Sequence, residues 1–121
     1  MKSKLKNLLI VEDNTLIGKS IVDATKQIIG IENLHLATSL QEAINLVNET
    51  EFKLIILDLS LPDGNGLELL KILRDKESNN KVLVFSTNTH LKGVCLKYGA
   101  YAFFDKANDF DSLIETIRAE H

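Results

Sequence analysis

A chain of 121 residues, 45% hydrophobic and 26% charged, has the size and balance of one globular domain rather than a disordered segment. At that length roughly two-thirds of the unfolded surface is buried on folding, enough for a real core. The formal net charge of −3 gives no electrostatic ground for direct nucleic-acid binding, and no apolar run approaches the roughly 18 residues that span a bilayer. The one cysteine, Cys95, excludes an internal disulfide and agrees with a cytoplasmic setting. The basic start "MKSKLK" reads as a solvated terminus. The run "LLIV" (8–11) is too short for a signal-peptide core and leads straight into acids. No repeat, low-complexity tract or Pro/Gly/Ser linker divides the sequence, so 1–121 reads as one domain.

Taken in order, five apolar runs read as strands: "LLIV" (8–11), "LHLA" (34–37), "LIIL" (54–57), "VLVF" (82–85) and "YAFF" (101–104). Helical spacing fills the gaps. Ile17, Ile21, Ala24 and Ile28 share one face of a first helix, with Asn14 as its N-cap. Ser39 followed by Glu42 is a capping-box pattern opening a second, with Ala43, Ile44 and Val47 inward. Leu67, Leu70, Ile72 and Leu73 mark a third. Leu91, Val94, Cys95 and Tyr98 mark a fourth, which Gly99 closes. Phe110, Leu113, Ile114 and Ile117 mark a fifth, capped by Asn108 or Asp109. Continuous rather than alternating apolar strands between helices predict an α/β, doubly wound five-stranded parallel sheet covered on both faces.

In such a fold ligands bind beyond the carboxyl ends of the strands. The residues that follow the runs are Glu12 and Asp13, then Asp58, then Ser86, Thr87 and Asn88, then Asp105 and Lys106. Several carboxylates gathered at one end repel one another and are costly to desolvate, and a hard cation with oxygen ligands, Mg²⁺, relieves both problems. A lysine adds a compact positive charge and a serine a hydroxyl donor. Carboxylate nucleophile, metal, lysine and hydroxyl are together the parts for phosphoryl transfer onto an aspartate.

The motifs "VED" (11–13), "DLSLPDGNG" (58–66), "VFST" (84–87) and "GAYAFFDK" (99–106) occur in that order. Each is weak alone. Together they resemble the receiver domain of two-component response regulators over essentially the whole chain. That resemblance implies the flavodoxin-like strand order 2-1-3-4-5. It implies that Asp58 accepts phosphate from a histidine kinase or phosphotransfer protein. Asp13 and Asp58 would bind Mg²⁺ directly, Glu12 through water, and the Ser60 backbone carbonyl would complete the protein ligands. Lys106 would pair with Asp58 and contact the phosphoryl group, and Ser86 would bond one of its oxygens. Phe103 would turn inward as Ser86 moves, altering the surface of the fourth helix, fifth strand and fifth helix. Ser60 and Asn88 stand where the family tunes the hydrolytic water. The implied role is a switch for a downstream effector protein or domain, with slow self-dephosphorylation and no external substrate. Phosphorylation-dependent homodimerisation through the fourth and fifth helices is compatible with it, although no residue pattern specifies one.

Two positions depart from the family pattern. Ala107 stands where a proline, commonly cis, is usual; a cis bond to a non-proline residue costs about 3 kcal/mol, so the loop is either strained or differently shaped. Thr87 is bulkier than the usual alanine and narrows access to the site. Other functions use the same plan. An aspartyl-nucleophile phosphohydrolase would need a second aspartate where Ser60 stands. A flavin module would need a phosphate loop where "EDNTL" places acids, and a pseudo-receiver would need the departures to abolish the chemistry. Pro62, Gly64 and Gly66 shape the loop after Asp58. Asp63 and Asp105 read as solvated charges, Cys95 as a packing group, and His35 and His90 carry no ligand spacing. His121 is either a native terminus or part of a tag. With no space after the fifth helix for an effector, the chain is either a single-domain regulator or a receiver cut from a longer protein.

Overall fold

The computed structural model describes residues 7–28 and 33–120. The "MKSKLK" segment and His121 lie outside them. Five strands form one parallel sheet: β1 (Asn7–Val11), β2 (Asn33–Ala37), β3 (Leu54–Leu57), β4 (Lys81–Ser86) and β5 (Ala102–Asp105), in the order β2-β1-β3-β4-β5. Five helices connect and follow them: α1 (Thr15–Lys26), α2 (Leu40–Glu49), α3 (Leu67–Asp75), α4 (Lys92–Lys97) and α5 (Phe110–Ala119). The expected doubly wound plan is the observed one.

Alternation within the strands explains why the sequence looked apolar throughout. Leu9, Val11, Ile55, Leu57, Val82 and Val84 point to one face, where Ala43, Val47, Leu69, Leu70, Leu73 and Cys95 meet them. Leu8, Ile10, Leu54, Ile56, Leu83 and Phe85 point to the other, against Ile21, Ile28, Leu113, Ile114 and Ile117. A strand covered on both faces has no polar side to show.

Local capping sets the helix starts. Asn14 Oδ1 accepts from the amides of Leu16 and Ile17, as expected for an N-cap. The capping box of α2 is half formed: Ser39 Oγ accepts from the Glu42 amide, but Glu42 Oε1 accepts from Thr38 N–H rather than from Ser39. Asp109 precedes α5 without capping it; its Oδ2 accepts instead from the Asp105 amide.

Two faces differ from expectation. On α3 the buried residues are Leu69, Leu70 and Leu73, so Leu69 takes the inward place assigned to Ile72. The fourth helical segment splits into a 3₁₀ turn, Thr89–Leu91, and the short α4. Cys95 is fully buried there, whereas Val94 is 38% exposed. Gly93 and β-branched Val94 are poor helix formers and Leu91 makes no cap bond, so the segment is held by the buried Cys95 and by Leu91 and Tyr98, which pack part-buried against the core. Gly99 ends it at φ +101°, with its own amide bonded to Leu96 O and that of Ala100 to Cys95 O.

At the end of α3, Glu77 occupies the left-handed region at φ 52°. An L-residue there costs about 1–2 kcal/mol relative to glycine, partly offset by glycine's larger unfolded entropy. Glu77→Gly is therefore expected to raise stability by about 0.5–1 kcal/mol in urea denaturation; an unchanged or lower midpoint would contradict the strain.

Candidate functional site

The parallel ladder does not stop where the strands end. The Asp58 amide donates to Val11 O at 2.9 Å, Glu12 N to Ala37 O at 2.9 Å and Lys106 N to Ser86 O at 3.1 Å. Residues that follow β1, β3 and β5 are thus fixed by neighbouring strands as firmly as strand residues. Glu12 and Asp58 are only 2% and 3% exposed, and Ser86 is fully buried. Asp13, by contrast, is exposed beside them.

Lys106 sits between the two buried carboxylates. Its Nζ lies 2.9 Å from Glu12 Oε1 and 3.1 Å from Asp58 Oδ2. The expected partner was Asp58; the bond to Glu12 is the shorter of the two. Burial pushes the Glu12 carboxyl up to about 6, against the bond from Lys106, and the charge of Asp58 adds to the rise. Burial also works to lower the lysine, but the Glu12 bond and the two negative charges outweigh it and leave Lys106 above its ordinary value. Glu12, Asp13 and Asp58 each place an oxygen within 4.8 Å of the others. Three carboxylates face one ammonium, and the donors are all hard oxygens. That excess of negative charge, with Asp13 open to solvent, fits a small divalent cation.

A second set of bonds joins the loops around Asp58. Its Oδ1 accepts from the Ser60 amide at 3.3 Å. Ser60 Oγ accepts from Asn88 Nδ2 at 3.3 Å, and the Asn88 amide donates to Ser86 Oγ at 3.0 Å. Ser60 and Asn88, expected separately at the rim, are therefore bonded to each other. Thr87 is exposed. Phe103 is half-buried on β5 opposite Val84 and packs against the core beneath α2–α4.

The loop after Asp58 is more ordered than its composition suggests. Ser60–Leu61 and Gly64–Asn65 pair as a two-residue antiparallel ribbon. Gly66 is required by proximity: a Cβ there would lie 2.5 Å from Asp58 O and 3.0 Å from Leu59 Cα. Asp63, expected to be a solvated charge, accepts from Leu40 N at 2.7 Å and Gln41 N at 2.9 Å, so it caps α2 from 22 residues away and more. Those amides, Gln41 first, hold its carboxyl below the usual range. Asp105 is likewise engaged, with Oδ1 accepting from Ala107 N and Oδ2 from Asn108 Nδ2. The peptide bonds of the described residues are all trans, Lys106–Ala107 included, so the loop is shaped differently from the cis form. The partners of Asp63 and Glu12 are far away in sequence, and no local pattern marks them.

Sheet order and acidic strand ends define a doubly wound α/β domain with its site at the carboxyl edge. A family model described as the response regulator receiver domain matches residues 8–118, and the chain belongs to that family. It is 36% identical over 107 residues to the transcriptional regulatory protein MalR of Bacillus subtilis, covering 87% of this chain and 46% of MalR. It is 32% identical to the polar-differentiation response regulator DivK of Brucella ovis, covering 94% of each. The receiver domain of Francisella response regulator 1452 superposes with a TM-score of 0.84 at 28% identity, covering 94% of each chain. The chain spans about half the length of MalR and of the Escherichia coli nitrate/nitrite regulator NarL. No helix among the described residues is long and apolar enough to cross a membrane.

The electrostatics carry a pH consequence. A carboxylate whose folded pKa lies above its unfolded value binds its proton more tightly when folded, so without metal the contribution of Glu12 to stability falls as pH rises from about 4.5 to about 6. Removing the Asp58 charge removes one cause of that rise. In Asp58→Asn the Glu12 carboxyl is expected to titrate lower than in the wild type, read by side-chain carbonyl NMR; an unchanged midpoint would show that Asp58 does not act on it.

Proposed function

We propose that this receiver domain is a phosphorylation switch in which Asp58 takes a phosphoryl group from the phosphohistidine of a histidine kinase or phosphotransfer protein. The observation that carries the reading is the Asp58 carboxylate itself: almost fully buried, fixed by the sheet, and bonded to Lys106 beside two further carboxylates. An ionised acceptor at that depth is both a nucleophile and a group in need of compensating charge.

An Asp58 carboxylate oxygen attacks phosphorus, the P–N bond to the donor imidazole breaks, and the bonding pair leaves with the imidazole. The acyl phosphate that forms carries added negative charge. Lys106, already within 3.1 Å of Asp58 Oδ2, donates to it, and Ser86 Oγ donates its hydroxyl proton to a phosphoryl oxygen. Asp13, Asp58 and the Ser60 carbonyl would hold Mg²⁺, with Glu12 acting through water. Bound there, the cation would neutralise the clustered carboxylates and phosphoryl oxygens. As Ser86 is drawn toward the phosphoryl group, the half-buried Phe103 turns inward, changing the α4–β5–α5 face presented to an effector protein or domain. Homodimerisation through that face is one form of such an output. The work fits a cytoplasmic signalling protein that loses its phosphoryl group by slow hydrolysis and turns over no external substrate.

Incubation with acetyl phosphate and Mg²⁺ is expected to add one phosphoryl mass to the wild type and none to Asp58→Asn. No modification by any donor, phosphohistidine included, would overturn the reading in favour of a pseudo-receiver. The Ser60–Asn88 bond generates a second expectation. If the pair acts as one barrier to the hydrolytic water, Ser60→Ala and Asn88→Ala each change the dephosphorylation rate, and the double variant changes it by less than the product of the two. Multiplicative effects in that cycle would mean that the residues act separately.

A further inference from the structure

We infer that Asp63 is a positioning residue for the Mg²⁺ site: by tying the loop that carries Ser60 to the N-terminus of α2, it sets the affinity of the acidic cluster for the cation. This rests on the reading of that cluster as a Mg²⁺ site.

Mg²⁺ demands near-ideal octahedral geometry with ligands at about 2.0–2.1 Å, so a displaced ligand costs affinity directly. Glu12 and Asp58 are fixed by the sheet ladder. Ser60 is not. It lies in a two-residue ribbon, Ser60–Leu61 with Gly64–Asn65, and a pairing that short does not hold its own shape in water. Apart from its own amide bond to Asp58 Oδ1 at 3.3 Å, its position comes from outside anchors. Leu61 reaches the core, and Asn88 bonds the Ser60 hydroxyl at 3.3 Å. The shortest anchor of the loop is Asp63, whose two oxygens take the Leu40 and Gln41 amides at 2.7 and 2.9 Å. Both bonds are charge-assisted and aligned with the positive end of a ten-residue helix. Gly64 completes the joint: a Cβ there would lie 2.8 Å from Leu40 Cδ2, so the loop lies against the helix start.

The helix does not depend on this distant carboxylate to begin. Ser39 Oγ already takes the Glu42 amide, the Ser39 carbonyl takes that of Ala43, and Gln41 lies in contact with solvent. Water can serve the exposed Gln41 amide, while that of the buried Leu40 is met by Asp63. The consequence of the Asp63 bonds is felt at the helix start as well as in the loop, three residues from the Ser60 carbonyl.

The test compares two caps of one helix. Ser39→Ala weakens the start of α2 without touching the loop, whereas Asp63→Ala releases the loop. Mg²⁺ titrated calorimetrically into unphosphorylated protein is expected to bind Asp63→Ala about tenfold more weakly than wild type, the low end for residues that orient metal ligands, and Ser39→Ala within about twofold of it. Asp63→Asn, which keeps the shape and one acceptor, should fall between and carries the test if Asp63→Ala does not fold. Phosphorylation by acetyl phosphate should slow in Asp63→Ala at limiting Mg²⁺ and recover at saturating Mg²⁺. Equal affinities in the Asp63 variants and wild type, or equal losses in Ser39→Ala, would overturn the inference while leaving the phosphoacceptor reading intact. A wild type that binds no Mg²⁺ would overturn that reading itself.

Discussion

Everything at the carboxyl edge of this domain depends on one electrostatic arrangement: the ammonium of Lys106 held between the buried carboxylates of Glu12 and Asp58. Burying two like charges a few ångströms apart is costly without a partner, and removing that partner would leave both uncompensated. The sheet meets the cost by geometry. Backbone bonds extend the ladder one residue past β1, β3 and β5, so the three groups are placed by neighbouring strands rather than by flexible loops. The compensation is deliberately incomplete in charge, since Asp13 adds a third carboxylate and no second cation among the described residues bonds the cluster. A group that brings positive charge, or a reaction that redistributes negative charge, acts on a site already poised by repulsion.

The rest of the fold serves that placement. Strands apolar on both faces can be buried only between two layers of helices, and this forces the parallel, doubly wound arrangement. It also puts every strand's carboxyl end on one edge. The same periodicity made the site legible, because Glu12, Asp58, Ser86 and Lys106 all lie at or just past the end of an apolar run. Helix starts with local chemistry were equally readable, as Asn14 and Ser39 show.

What escaped the sequence were contacts whose partners lie far along the chain. Asp63 sits in a proline–glycine turn and has the composition of a solvated charge; only the packing of that turn on α2 gives it two amides. Glu12 has no local signal of a lysine 94 positions later, and the bond of Ser60 to Asn88 crosses 28 residues. On α3, Ile72 and Leu69 are both compatible with a helical stripe, and the choice between them is made by the sheet beneath. The fourth helix illustrates a different limit. Its apolar residues suggest a full amphipathic face, but Gly93, Val94 and the uncapped Leu91 leave a short helix with Cys95 as its one fully buried side chain and Tyr98 part-buried beside it.

That weakness bears on how a buried event reaches the surface. Stability within a domain is uneven, and elements that rearrange are drawn from those with few buried contacts. The segment after β4 is such an element, and it is joined to the site at its first residues: the Asn88 amide bonds Ser86 Oγ, and its side chain bonds Ser60. On the other side of Asp58, the loop is fastened by Asp63 to α2, a longer helix with its own cap. One flank of Asp58 is therefore firm and the other yielding. Under the proposed phosphorylation, a pull on Ser86 would be resisted through Asp63 and transmitted through Asn88, and this asymmetry would direct the change toward α4 and β5 rather than toward α2.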